Sequence, residues 1–225
     1  RFGVKVTARA RKNGSVLYRV PAPQSYTACD LTMEGDYSQA AFLAVLGCVA
    51  GGITVTGLDP ASRQGDKVIL DILQRCGAKI KPLENGWQFA RSLLRATEID
   101  LADCPDLGPI LFTLGCFCSG ETVLRNAGRL RLKESDRIDA MQTELQKMGA
   151  RILVDSDDVH ILGTALHAPA EPLDGHNDHR VVMALAVAAA AAGLPALLLG
   201  AEAVNKSWPA FWQVLQGLGA RVELD

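Results

Sequence analysis

Apolar and polar positions along this 225-residue chain change their period at regular intervals. Stretches of small and apolar residues at helical spacing end at a glycine, and a short alternating apolar and polar stretch follows at once. The junctions are Phe2-Gly3-Val4-Lys5-Val6, Cys76-Gly77-Ala78-Lys79-Ile80, Met148-Gly149-Ala150-Arg151-Ile152 and Leu218-Gly219-Ala220-Arg221-Val222, with successive glycines 74, 72 and 70 residues apart. A glycine at such a junction supplies the left-handed residue that ends a helix, and the alternation after it reads as a strand. A recurrence of this kind marks repeated supersecondary units.

Upstream of three junctions lies a matching pair of elements, a small-residue helix opened by an aspartate and then a β-branched or Leu-rich strand. The helices open at Asp36, Asp106 and Asp178, and the strands fall at residues 53–56, 122–124 and 196–199. A second helix follows in each unit, at residues 66–75, 134–147 and 209–217. Strands at 87–89 and 159–162, after turns at 84–86 and 155–158, close units one and two as hairpins. The pattern predicts an α/β protein of three repeated βαβαββ units, its Ala- and Gly-rich helices buried together and surrounded by sheets. Ahead of them stands only the terminal hairpin of a fourth unit, residues 2–7 with 17–20, followed by a Pro-containing linker at 21–29. The expected organisation is residues 1–28 as the last hairpin and linker of a missing upper, N-terminal domain, and residues 29–225 as a lower, C-terminal domain. Arg1-Phe2-Gly3 is neither a start methionine nor a leader, so the sequence is expected to begin mid-protein.

Composition narrows the function. Hydrophobic residues make up 48% of the chain, enough for a substantial core, and the net charge of -2 with interspersed signs provides no basic stripe for nucleic acid or an anionic membrane. Residues 181–199 carry no charge, yet alanine dominates them and Gly193-Leu194-Pro195 breaks them into a helix and a short strand, so no membrane span is expected. Six cysteines without paired zinc spacing read as buried, reduced thiols of a cytoplasmic protein. His176 and His179 lack further ligands nearby, so neither a metal nor a cofactor is expected, and no Gly-x-Ser-x-Gly elbow supports a serine nucleophile.

The densest polar run is Arg129-Leu130-Arg131-Leu132-Lys133-Glu134-Ser135-Asp136-Arg137, where a strand hands over to a helix. Lys133 and Arg137, four apart, are expected on one helix face with Glu134 beside them. His179-Arg180 follows Asn177-Asp178 at the mouth of an uncharged helix, and Lys206 is the one cation between Arg180 and Arg221. Each of these cations is expected at a helix N-terminus, the end where the dipole disfavours positive charge, so a bound phosphate or carboxylate is expected to compensate. The helix-opening aspartates read as N-caps; Asp106, among apolar neighbours, is expected to have a raised pKa and to be able to act as a base.

Leu132-Lys133-Glu134-Ser135-Asp136-Arg137, Asn177-Asp178-His179-Arg180, Glu34-Gly35-Asp36 and Asn205-Lys206-Ser207-Trp208-Pro209 resemble, in order and spacing, the C-terminal-half motifs of 5-enolpyruvylshikimate-3-phosphate synthases. The resemblance implies an enolpyruvyl-transferase-like fold of two similar domains closing on substrates held between them. It implies transfer of the enolpyruvyl group of phosphoenolpyruvate to shikimate 3-phosphate, with no cofactor and with the missing N-terminal domain as partner. By motif, Arg137, Arg180 with His179, and Lys206 would grip phosphoenolpyruvate, and Lys133 would lie beside the attacking hydroxyl. Asp106 would accept that hydroxyl's proton, Glu134 would protonate the methylene carbon, and Arg129 stands at a substrate-contacting position where relatives often carry Asn. Cations beside Glu134 favour its carboxylate, whereas a proton donor must be a carboxylic acid. The rival readings are the UDP-N-acetylglucosamine enolpyruvyl transferase and a catalytically silent anion-binding domain.

Overall fold

The computed structural model describes residues 2–224, so Arg1 and Asp225, the outer bounds of the two expected domains, lie outside the described residues. Chain contacts group into two compact units, Arg1–Met33 and Glu34–Asp225. In the first, strands β1 (Thr7–Ala10) and β2 (Val16–Arg19) form an antiparallel hairpin with Thr7 opposite Arg19, every strand residue exposed. The hairpin lies later than the expected pairing of 2–7 with 17–20. The turn sets the register: Arg11 N–H donates to Ser15 O at 2.8 Å and Gly14 N–H to Arg11 O at 3.1 Å, with Gly14 at φ +81°. Residues 2–5 instead run beside the linker, through Thr27 N–H to Phe2 O at 2.9 Å and Lys5 N–H to Gln24 Oε1 at 2.6 Å.

The second unit begins with α1 (Tyr37–Val49), β3 (Ile53–Thr56), α2 (Ile69–Arg75), β4 (Lys79–Leu83) and β5 (Gly86–Ala90), whose strands pair antiparallel in the order β3-β5-β4. Next come β6 (Glu98–Asp100), α3 (Gly108–Phe117), β7 (Glu121–Arg125), α4 (Arg137–Lys147), β8 (Arg151–Asp155) and β9 (Asp158–Leu162). Their sheet runs β6-β7-β9-β8, with β6 parallel to β7 and the rest antiparallel. The third repeat holds β10 (Leu173–Asp174) parallel to β11 (Leu198–Leu199), with α5 (His179–Ala192) between them and α6 (Phe211–Gly217) after. The α/β repeat is as expected: α1, α3 and α5 pack on one another in the core, and the sheets lie outside them. A helix apolar on every face must be buried on every face. In α3 all but the final residue is buried, and its Thr113 hydroxyl donates to Ala184 O of α5 at 3.0 Å.

Small residues let these helices lie close to their sheets. A Cβ on Gly47 of α1 would stand 2.9 Å from the Phe89 side chain, and one on Gly115 of α3 would stand 3.0 Å from Ile161. Burial pushes the thiols of Cys48 and Cys116 up to about 12, which keeps them protonated, and only Cys29 of the six free cysteines is exposed. No helix among the described residues is long and apolar enough to cross a membrane; α5 stops at Gly193, which takes the left-handed conformation at φ +65°.

Several expected boundaries move. The helix expected from 134 starts at Arg137, because the Asp136 carboxylate accepts Ile138 N–H and Asp139 N–H and so caps the helix there. Residues 65–68 form a 3-10 turn before α2. The alternating stretch after Gly219 forms no strand, since among the described residues no neighbouring strand pairs with it and alternation alone makes no ladder. Beyond β9 the chain passes the end of α3 so closely that a Cβ on Gly163 would lie 1.7 Å from the Cys118 carbonyl oxygen. Backbone cannot yield as a side chain can, so Gly163→Ala is expected to lower the unfolding free energy by about 3 kcal/mol, measured by urea denaturation.

Candidate active site at the helix N-termini

The repeat brings its helix starts to one end of the core, and the charged motifs meet there. Asp178 has no exposed surface; it caps α5 by accepting Arg180 N–H at 2.9 Å, and it accepts the Ser135 hydroxyl at 3.1 Å. Its carboxylate also takes two bonds from Arg137, Nε at 2.8 Å and Nη2 at 3.2 Å. Arg137, the first residue of α4 and 1% exposed, also donates to Glu134 Oε2 at 2.7 Å and Asp106 Oδ1 at 3.2 Å. One guanidinium therefore joins three carboxylates from three parts of the chain.

Asp106 is not an N-cap. It lies inside the 3-10 turn Pro105–Leu107 that precedes α3, and its partly exposed carboxylate faces Lys133 Nζ at 2.9 Å, Arg137 Nη1 at 3.2 Å and Arg180 Nη2 at 3.5 Å. Arg180 also donates to the Asp106 carbonyl at 3.2 Å. The expected raised pKa is therefore corrected. Burial pushes it up, but the Lys133 hydrogen bond and the charges of Arg180, Lys133 and Arg137 together outweigh burial and hold it below its ordinary value.

Lys133 follows the 3-10 turn Ala127–Leu132 in extended backbone, so it does not share a helix face with Arg137; both converge on Asp106 through the turn. Lys206 ends the 3-10 turn Ala201–Lys206 and opens no helix; its ammonium is held by the Asn177 carbonyl and, at 2.7 Å, by Asn177 Oδ1. Gln39 of α1 donates to Ser207 O at 2.8 Å, which ties the first repeat to this motif. Lys133, Arg137 and Arg180 are thus paired with the protein's own carboxylates, and Lys206 with the neutral Asn177. His179 is almost buried, its Nδ1 has no hydrogen-bond partner, and burial, reinforced by the charge of Arg180, holds its pKa below the ordinary value. The lowered pKa favours the neutral imidazole, and its Nδ1 is a buried polar atom without a partner, which a bound ligand can satisfy. Arg129 is exposed, donates to Ala102 O at 2.9 Å and forms no ion pair with these carboxylates among the described residues. His176 turns away to Glu144 Oε1 at 3.3 Å.

Sequence reasoning passed over Asp66. It accepts the Ser38 hydroxyl of α1, and burial raises its pKa while that hydrogen bond and the charge of Arg180 oppose and Asp106 and Asp36 add to the rise. The 70-residue period sets Gly65-Asp66-Lys67 on Ser135-Asp136-Arg137, and that register was the available signal.

Known structures share this architecture. EPSP synthase from Acinetobacter baumannii superposes with a TM-score of 0.81 at 22% identity, over 99% of this chain and 53% of that one. The enolpyruvyl transferase NikO from Streptomyces tendae gives 0.74 at 19% identity, over 97% of this chain and 51% of its own. The fold is that of an enolpyruvyl-transferase-like α/β domain. The sequence profile described as EPSP synthase (3-phosphoshikimate 1-carboxyvinyltransferase) matches residues 1–215, and the chain belongs to that family. Relatives described as 3-phosphoshikimate 1-carboxyvinyltransferase include those of Clostridium kluyveri, 38% identical over 99% of this chain, and Methanococcus maripaludis, 37% identical over 100%. The chain spans about half the length of these curated relatives, 51% and 52%.

The Asp178 carboxyl shows what holds the cluster. Burial pushes its pKa up, but the hydrogen bonds and charge of Arg137, helped by Arg180 N–H and the Ser135 hydroxyl, hold it below its ordinary value. A carboxylate with a depressed folded-state pKa contributes stability that is present above the unfolded value, about 3.9, and is lost as pH falls through the folded one. Asp178→Ala is expected to lower the unfolding free energy by ~3 kcal/mol at neutral pH, because Arg137 stays buried with one partner fewer. Denaturation as a function of pH should also show a shallower loss of stability below about pH 4 in that variant.

Proposed function

We propose that this chain is the lower half of an enzyme that transfers the enolpyruvyl group of phosphoenolpyruvate to the 5-hydroxyl of shikimate 3-phosphate and releases phosphate. The observation that carries the reading is the Asp106 carboxylate standing within 3.5 Å of Lys133, Arg137 and Arg180, in a chain of the family whose motifs these are. Family membership and half-length coverage support it. On this reading residues 1–28 are the last hairpin and linker of an upper domain, and residues 29–225 are the lower domain. The chain alone turns over poorly or not at all. Five buried free thiols accord with a cytoplasmic, reducing setting.

Arg180, Lys206 and Lys133 carry the phosphate and carboxylate of phosphoenolpyruvate and the phosphorylated acceptor. Arg137, being buried, serves phosphoenolpyruvate through whichever donors Asp106 and Glu134 release. An incoming anion shares the cations that now surround Asp106; their pull on its carboxylate weakens, and its basicity rises as the substrate arrives. Glu134 takes up a proton from solvent before the substrates are enclosed; Asp106 then accepts the proton of the 5-hydroxyl as that oxygen bonds to the enol carbon, while the protonated Glu134 delivers its proton to the methylene carbon. Loss of phosphate from the tetrahedral adduct, with return of a proton from the methyl group, restores the enolpyruvyl double bond in the product. Cations aimed at the adduct supply electrostatic stabilisation. His179 offers a neutral hydrogen-bonding contact beside Arg180, and Arg129 marks the outer edge of the acceptor's path.

Calorimetric titration of phosphoenolpyruvate and shikimate 3-phosphate, separately and together, into this chain supplemented with the N-terminal half tests the proposal. Binding and turnover are expected only with both halves, and Arg180→Ala or Lys206→Ala should weaken phosphoenolpyruvate by roughly 10- to 100-fold. Asp106→Asn should cost about 100-fold or more in turnover while binding phosphoenolpyruvate no less tightly, since it removes a competing carboxylate and the base together. If neither ligand binds with both halves present, the chain is a silent domain.

A further inference from the structure

Outside the cluster around Asp106, one carboxylate is nearly as deeply buried as Asp178. Glu144 of α4 is 1% exposed and lies two helical turns beyond Arg137. Its Oε2 accepts Lys147 Nζ at 2.7 Å and the backbone N–H of Asp174 at 2.8 Å, and its Oε1 meets Lys147 Nζ at 3.0 Å and His176 Nε2 at 3.3 Å. Lys147 also donates to Pro172 O at 3.1 Å. All of these bonds except those within α4 end on the strand and loop leading to α5.

That loop is conformationally demanding. His176 and Asn177 are consecutive non-glycine residues at φ +50°, an arrangement that persists only where the surroundings impose it. Gly175 admits no side chain, since a Cβ would lie 2.4 Å from Val182 and 2.9 Å from Leu199 O. The strained pair has consequences at the site, because Asn177 presents both its carbonyl and its Oδ1 to the Lys206 ammonium, and the next residue, Asp178, holds Arg137.

We propose that Glu144 is a positioning residue for the candidate anion site, acting through residues 174–178 on Lys206 and Arg137. The inference rests on the reading of that site given above. Helix α4 grips the loop at two points, Arg137 on Asp178 and Glu144 on Asp174 and His176, and the seven residue steps from one to the other span about 10 Å of rigid helix. The helix thus sets the separation of the loop's ends, and the residues between are confined to the left-handed path that aims Asn177 at Lys206. A buried ion pair adds no more stability than well-packed apolar side chains of similar volume, so packing alone does not account for a carboxylate here. What Glu144 supplies is two fixed acceptor oxygens.

The test is residue-resolved amine labelling of the 225-residue chain, with acetylation rates at each lysine read by mass spectrometry. His176→Asn is the deciding variant, because asparagine tolerates the left-handed backbone but is too short to reach Glu144. It should raise the labelling rate of Lys206 by roughly fivefold, as its hold by Asn177 loosens, while Lys67 and Lys79 stay unchanged. Glu144→Gln, where it folds, should do the same and also free Lys147. An unchanged Lys206 in His176→Asn, or a rise at all lysines together, would overturn the proposal, the latter by showing a role in general stability only. The labelling needs no bound substrate, so it decides the positioning role separately from the calorimetry, in which failure of the unmodified chain to bind overturns the anion site itself.

Discussion

Arg137 and Asp178 share a buried ion pair that fixes where the second and third repeats meet. Removing both groups from water is costly, and it is offset because every polar atom of each finds a partner among charged or hydrogen-bonding neighbours. Arg137 starts α4, Asp178 caps α5, and the third partner, Asp106, stands in the turn that leads to α3. Three helix beginnings are thereby held on one guanidinium. The positive charge that a helix start disfavours is balanced within the protein by Asp106, Glu134 and Asp178.

That balance shapes the chemistry proposed here. A site made only of cations would bind anions and do little else; one in which carboxylates already occupy the cations makes an entering anion compete. The competition links substrate arrival to the protonation behaviour of Asp106, whose pKa is depressed by the same groups that would receive phosphate and carboxylate. The cations differ in freedom. Arg137 is locked, whereas Lys133 and Arg180 keep partial access, and Lys206 is exposed and held by Asn177 from one side.

Close approach of helix and sheet makes the convergence possible. Gly47 and Gly115 occupy comparable places in the first two repeats and bring α1 and α3 against Phe89 and Ile161. With bulky residues there, the helices would stand off and their N-termini would no longer reach one another. The third repeat has a slighter sheet, the two-residue pair β10 and β11, and its loop is braced instead by buried polar contacts with α4.

Much of this was legible in the chain itself. Apolar periodicity and the spaced glycines depend on local backbone preferences, so the α/β repeat, the central helices and the capping roles of Asp36 and Asp178 could be read without tertiary contacts. The motifs around Lys133, Arg137, Arg180 and Lys206 likewise marked the family. Other features escaped the periodicity, some set by local bonds and some by long-range geometry. Asp136, not a residue three earlier, starts α4 because its carboxylate wins the free N–H groups, and the hairpin register follows the Asn13-Gly14 turn. The short strands β6 and β10 exist only as partners of strands far along the chain. Asp106 looked apolar in sequence because its neighbours along the chain are apolar, whereas its neighbours in space are Lys133, Arg137 and Arg180. Sequence determined which groups exist and which local elements carry them; only the folded structure decided which charges face one another, because electrostatic energy depends on separation in space and not on separation along the chain.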